Sequence, residues 1–100
     1  MTKEKNMLQE KDRIDVKIAR VHRLATESAI KAFVDVNIND SLLIKGFRIV
    51  EGPRGFFVTM PQEKGKNDRW YNTVHCLSTD IKNLVVDSVL KAYREQQEQN

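Results

Sequence analysis

The nine residues Ile30-Lys31-Ala32-Phe33-Val34-Asp35-Val36-Asn37-Ile38 alternate in character at every step. In an extended chain Ile30, Ala32, Val34, Val36 and Ile38 fall on one face, and Lys31, Phe33, Asp35 and Asn37 on the other. A period of two is what a strand with one buried face requires. The pattern predicts a strand over about 29–38. Upstream, Ile14, Val16 and Ile18 alternate with Asp15 and Lys17, which gives a preceding strand over about 13–23, joined to it by the turn-like Ala25 to Ser28. Arg20 shares the nominal face of Ile18, so it marks either the strand's exposed end or a bulge.

Downstream, Asn39-Asp40-Ser41 is a cluster of turn formers, after which Leu42 to Val50 gives a third strand. Glu51-Gly52-Pro53-Arg54-Gly55 is a turn, and Phe56 to Met60 a short fourth strand that Pro61 stops. Gln62 to Arg69 reads as a polar loop, and Trp70 to Leu77 returns to β-type residues as a fifth strand. Ser78-Thr79-Asp80 then offers N-cap chemistry, and Ile81, Leu84, Val85, Ser88, Val89 and Ala92 recur at helical spacing. This places a helix over about 79–95.

Four or five antiparallel strands followed by one helix make an α+β domain over residues 13–95, with the helix on one sheet face. Residues 1–12 read as a mobile or weakly helical arm and 96–100 as a polar tail. An open sheet leaves edges that a second copy can satisfy, and a domain this small has a thin core, so a homodimer through the sheet is expected.

Composition narrows the function. With 40% hydrophobic residues, 4 Gly and 2 Pro among 100 residues, the chain is globular rather than disordered. It has no membrane-length apolar run, Met1 to Asp12 lacks the apolar segment expected of a secretory signal, and its one cysteine, Cys76, can form no internal disulfide or thiolate metal site. We expect a cytoplasmic protein without a cofactor or a membrane partner. The net charge of +3 is uneven: residues 13–69 carry +4, residues 1–12 are neutral and the last 31 carry −1. A basic central region suggests a polyanionic partner.

The run Lys45-Gly46-Phe47-Arg48-Ile49-Val50-Glu51-Gly52-Pro53-Arg54-Gly55-Phe56-Phe57-Val58-Thr59-Met60-Pro61 resembles the signature stretch of the SpoVG family, the bacterial stage V sporulation G or septation proteins. The likeness extends from about Ile14 to Tyr93 and includes Ala32-Phe33-Val34-Asp35-Val36 and the pattern of Val89, Leu90 and Tyr93. It departs from the family pattern at Asn72-Thr73-Val74-His75-Cys76-Leu77, where members usually carry Asp-Ile-Ala-His-Pro-Ile. It departs again at Lys82, commonly Arg, and at Gln62-Glu63, which precede Lys64 and Lys66. The resemblance implies a homodimer that binds DNA and often RNA and regulates gene expression in sporulation or septation.

The candidate nucleic-acid-binding residues are Arg54, Lys64, Lys66, Arg69, Trp70, His75 and Lys82. Lys64, Lys66 and Arg69 share one loop, and a short fifth strand would bring them close to the helix start, where backbone N–H groups and the helix dipole favour phosphate. The alternative is a solvated loop. Arg48 and Arg54 flank the Glu51-Gly52 turn, where either could read a base edge or clamp phosphate; the alternative for both, and the more so for Arg48, is an ion pair with Glu51 or a dimer contact. Lys17, Arg20 and Arg23 form a second basic run on the first strand. Trp70 is the better stacking candidate among the aromatic residues, most of which belong to a core. His75 and Cys76 are adjacent and so point to opposite faces of a strand, which disfavours a catalytic pair; with His22 remote, no metal set forms either. We therefore expect no enzyme. The competing function is a protein-interaction module that uses the sheet edge or helix face.

Overall fold

The computed structural model describes residues 14–99, with side chains to Gln96; the arm expected over 1–12 lies outside them. Four strands form an antiparallel meander in the order β1 (Val16–Arg23), β2 (Ile30–Ile38), β3 (Leu42–Gly52) and β4 (Gly55–Thr59). Two short strands, β5 (Gln62–Lys64) and β6 (Trp70–Asn72), pair only with each other, and one helix, α1 (Thr79–Gln99), ends the chain. The α+β architecture is as the alternation predicts.

The alternating residues of β2 do what their period requires. Ala32, Val34 and Val36 are fully buried, and they join Phe47 and Ile49 of β3 and Val85, Val89 and Tyr93 of α1 in one core. Burying a Val or Leu side chain contributes about 1.5–3 kcal/mol, so this cluster is what holds the helix on the sheet. Val16, Ile18, Val21 and Val58 close its margins.

Bulges adjust the register. On β1 the pairing moves from Ile18↔Val36 to Arg20↔Asp35, which leaves Ala19 as the extra residue. Arg20 is thereby turned to the exposed face and Val21 returned to the core side. On β3, Ile44 and Phe47 pair with Val36 and Val34, so Lys45 and Gly46 oppose the single residue Asp35.

Two boundaries differ from the sequence reading. The strand expected over 70–77 ends at Asn72, and it pairs with Gln62–Lys64, inside the stretch expected to be loop. Thr73 donates its N–H to the Pro61 carbonyl at 2.8 Å, closing the hairpin and freeing residues 74–78 to reach the helix. The helix continues past residue 95 to Gln99.

Candidate nucleic-acid interface

The β5–β6 hairpin presents four of the seven candidate residues. Lys64 and Trp70 are its last paired residues, and Lys66 and Arg69 lie in the tip loop. The tip is closed by its own hydrogen bonds, two along the backbone and one to a side chain. Gly65 N–H donates to the Arg69 carbonyl at 2.7 Å, Asp68 N–H to the Gly65 carbonyl at 3.1 Å, and Asn67 Oδ1 accepts from Arg69 N–H at 3.1 Å. Asp68 takes a left-handed φ of 63°, a conformation Asp tolerates better than most residues. The Tyr71 ring lies against Gly65, where an added Cβ would come within 2.7 Å of it, and its hydroxyl accepts from Asn67 Nδ2 at 2.7 Å.

The three cations of this loop are not equivalent. Lys64 Nζ lies 3.6 Å from Asp68 Oδ1, whereas Lys66 and Arg69 are exposed and have no ion-pair partner among the described residues. Trp70 is 54% exposed, with the Arg48 guanidinium carbon 4.9 Å from its ring centroid. Arg48 also lies over the Phe33 ring at 5.7 Å, on the sheet face opposite the helix. The ion pair with Glu51 named as an alternative for Arg48 does not form, since Glu51 Oε1 instead lies 3.6 Å from Lys31 Nζ. Arg48 Nε and Thr59 Oγ1, from directly paired residues, are buried without a hydrogen-bond partner.

His75 and Lys82 stand at the other end of the hairpin. They line a cleft of about 120 Å³ with Met60, Asn72, Val74 and Cys76, at the base where Gln62 pairs with Asn72. Ser78 caps the helix there: its Oγ accepts from Ile81 N–H at 3.4 Å and its carbonyl from Lys82 N–H at 3.0 Å. Asp80 in the same first turn supplies a negative charge that works against an anion. Tip and base are separated by the length of the paired strands, on the order of 10 Å at the usual rise per residue. His75 and Cys76 lie in the segment after the strand; His75 is exposed and Cys76 Sγ sits 4.0 Å from Met60 Sδ.

Arg54 is not joined to either group. It occupies the β3–β4 turn beside Phe56, whose ring meets that of Tyr93 at 5.4 Å, near the far end of the helix. The second basic run is largely committed elsewhere, because Lys17 Nζ contacts Asp40 Oδ2 at 3.2 Å and Arg23 binds the helix. The Phe33–Arg48–Trp70 arrangement escaped the sequence reading, since only the register and the hairpin's return bring those three side chains together.

The SpoVG family model matches residues 12–95. The chain belongs to the SpoVG family. Relatives named for SpoVG and septation include one from Archaeoglobus fulgidus, 32% identical over 78 residues, which span 78% of this chain and 92% of the relative. One from Acholeplasma laidlawii is 32% identical, covering 76% of this chain and 81% of the relative. One from Staphylococcus carnosus is 28% identical over 79% of this chain and 74% of its own length. Membership in the SpoVG family covers the whole described domain apart from the end of α1. Among the described residues no helix is long and apolar enough to cross a membrane.

Proposed function

We propose that this SpoVG-family chain is a non-enzymatic regulator that binds nucleic acid and acts as a homodimer in a septation- or sporulation-type programme. The observation that carries the reading is the hairpin tip, where two cations without an ion-pair partner among the described residues, Lys66 and Arg69, share one hairpin with an exposed indole, Trp70. Cations position a strand through its phosphates, and an open aromatic ring accepts bases. The cleft of His75 and Lys82 is a secondary contact, weakened by Asp80. Dimerisation is supported by the edge of β4, which pairs with no further strand among the described residues and carries Phe56 and Phe57 at 37% and 47% exposure. The other edge, β1, is broken by the bulge at Ala19.

Oligonucleotide affinity measured across a salt series tests the reading. Wild type should lose affinity steeply as salt rises, and replacing both Lys66 and Arg69 by Ala should flatten the slope by roughly 1.4–1.8, the release expected for two phosphate contacts. A salt-independent affinity, or an unchanged slope in the double variant, overturns it.

A second reading has its own observation. Ile14, Ile38, Leu42, Ile44, Val74 and Ile81 line an apolar groove of about 320 Å³, and Leu77 at its rim is 98% exposed. An apolar segment of a protein partner fits such a surface. Partner capture that is lost in Leu77→Asp while oligonucleotide binding is absent in wild type would favour it.

A further inference from the structure

We infer that the hairpin tip takes an unpaired base on the Trp70 indole, with Arg48 as the residue that positions the ring, so that this surface prefers single strands to duplex. The inference rests on the nucleic-acid reading and names the substrate class of the same surface.

The disposition of Arg48 is unusual for a half-buried arginine. It has no carboxylate partner among the described residues, its Nε is buried and unpaired, and its one natural candidate, Glu51, lies against Lys31. What holds it is two π faces, Phe33 at 5.7 Å and Trp70 at 4.9 Å. A planar cation between rings fixes their separation and tilt in a way that the point charge of a lysine does not. Trp70 is thus fixed to the sheet on one side while about half of its surface, 54%, stays open.

The neighbouring ring has a different task. Tyr71 has one edge of its ring against Gly65 and its hydroxyl bonded to Asn67, and both contacts close the tip loop. Trp70, 54% exposed against 49% for Tyr71, is accordingly the ring of the hairpin that the tip loop does not use, and Arg69 precedes it directly in the chain. A duplex keeps its base faces inside its own stack, whereas a single strand offers one face per nucleotide. An exposed indole in the same hairpin as two cations therefore discriminates between them.

Three probes test this: a short oligothymidylate, an abasic strand of the same length and charge, and the duplex of that thymidylate with its complement. Wild type should bind the thymidylate at least about fivefold more tightly than the abasic strand, the lower end of what stacking of one base contributes. Trp70→Ala should abolish that ratio and Trp70→Phe retain part of it, with abasic binding unchanged in both. Arg48→Lys should reduce the ratio and also shift the tryptophan emission of the free protein, a readout independent of binding. Equal wild-type affinity for thymidylate and abasic strands overturns the inference and leaves the nucleic-acid reading standing, as does a duplex bound as tightly as the single strand. An Arg48→Lys protein with unaltered emission and ratio removes Arg48 from the role. Failure of wild type to bind any of the three removes both the reading and the inference.

Discussion

Arg23 of β1 lies over the Tyr93 ring of α1, its guanidinium carbon 4.1 Å from the centroid, and donates from Nη2 to the Tyr93 carbonyl at 2.9 Å. Its Nε donates to Gln96 Oε1, also at 2.9 Å. One side chain thus ties the sheet's first strand to the distal half of a helix that has no basic residue in its last turn. The bulge at Ala19 makes this possible, because it turns Arg20 outward and restores Val21 and Arg23 to the helix side. Arg23→Ala removes a stacked cation and two hydrogen bonds from a half-buried site, and should cost about 2 kcal/mol in urea unfolding. Arg23→Lys should recover less than half of that, since it lacks the planar fork.

Gly46 is required by conformation rather than space. It sits in the β3 bulge at φ 99°, and an added Cβ would meet only Pro61 Cβ, at an ordinary 3.7 Å. Gly46→Ala should therefore destabilise by about 1–2 kcal/mol through backbone strain alone. Adding Pro61→Ala should not rescue it in the same unfolding measurement. A rescue would place the cause in packing.

The main sheet was legible because each of its strands advertises itself locally. β2 alternates without a break, and Asn39-Asp40-Ser41 and Gly52-Pro53-Arg54-Gly55 are turn chemistry at the positions where the chain turns. β5 was not, because Gln62-Glu63-Lys64 has no apolar residue and exists as a strand only through its pairing with Trp70–Asn72. The same pairing shortened the strand expected to reach Leu77, since the Thr73–Pro61 bond ends the hairpin whatever the β-propensity of Val74. At the candidate site, sequence proximity found the tip residues correctly as a group. It could not separate Lys64, held by Asp68, from Lys66, nor show that Arg54 and His75 lie beyond opposite ends of β4.

Lys17 supplies a pH dependence. Its ammonium is held above the usual lysine range by the hydrogen bond to Asp40, then by the charges of Asp40 and Asp15. A raised folded-state value means that the charged form stabilises the fold at every pH below the unfolded value of about 10.5, and that this contribution is lost as pH rises through the higher folded value. Lys17→Met should accordingly unfold at a slightly lower urea concentration than wild type at pH 8. The gap should narrow toward pH 11. The pair is fully exposed, so the difference is small and should shrink with added salt at pH 8.

Asp68 restrains the hairpin tip. Its carboxylate holds Lys64 at 3.6 Å and adds a negative charge to the loop that presents Lys66 and Arg69. Asp68→Asn releases that lysine, and asparagine accepts the left-handed φ of 63° as readily as aspartate, so the loop keeps its shape. The variant should bind oligonucleotide more tightly than wild type, with a salt slope steeper by up to about 0.7–0.9, the equivalent of one further phosphate contact. Lys64→Ala should weaken wild type less than Lys66→Ala does. In the Asp68→Asn background the two lysine substitutions should cost alike, because Lys64 is then as free as Lys66. Arg54→Ala, in the β3–β4 turn and outside the tip loop, should leave the slope unchanged. If Asp68→Asn lowers affinity while circular dichroism shows an intact fold, Lys64 is not a phosphate contact and the tip acts through Lys66 and Arg69 alone.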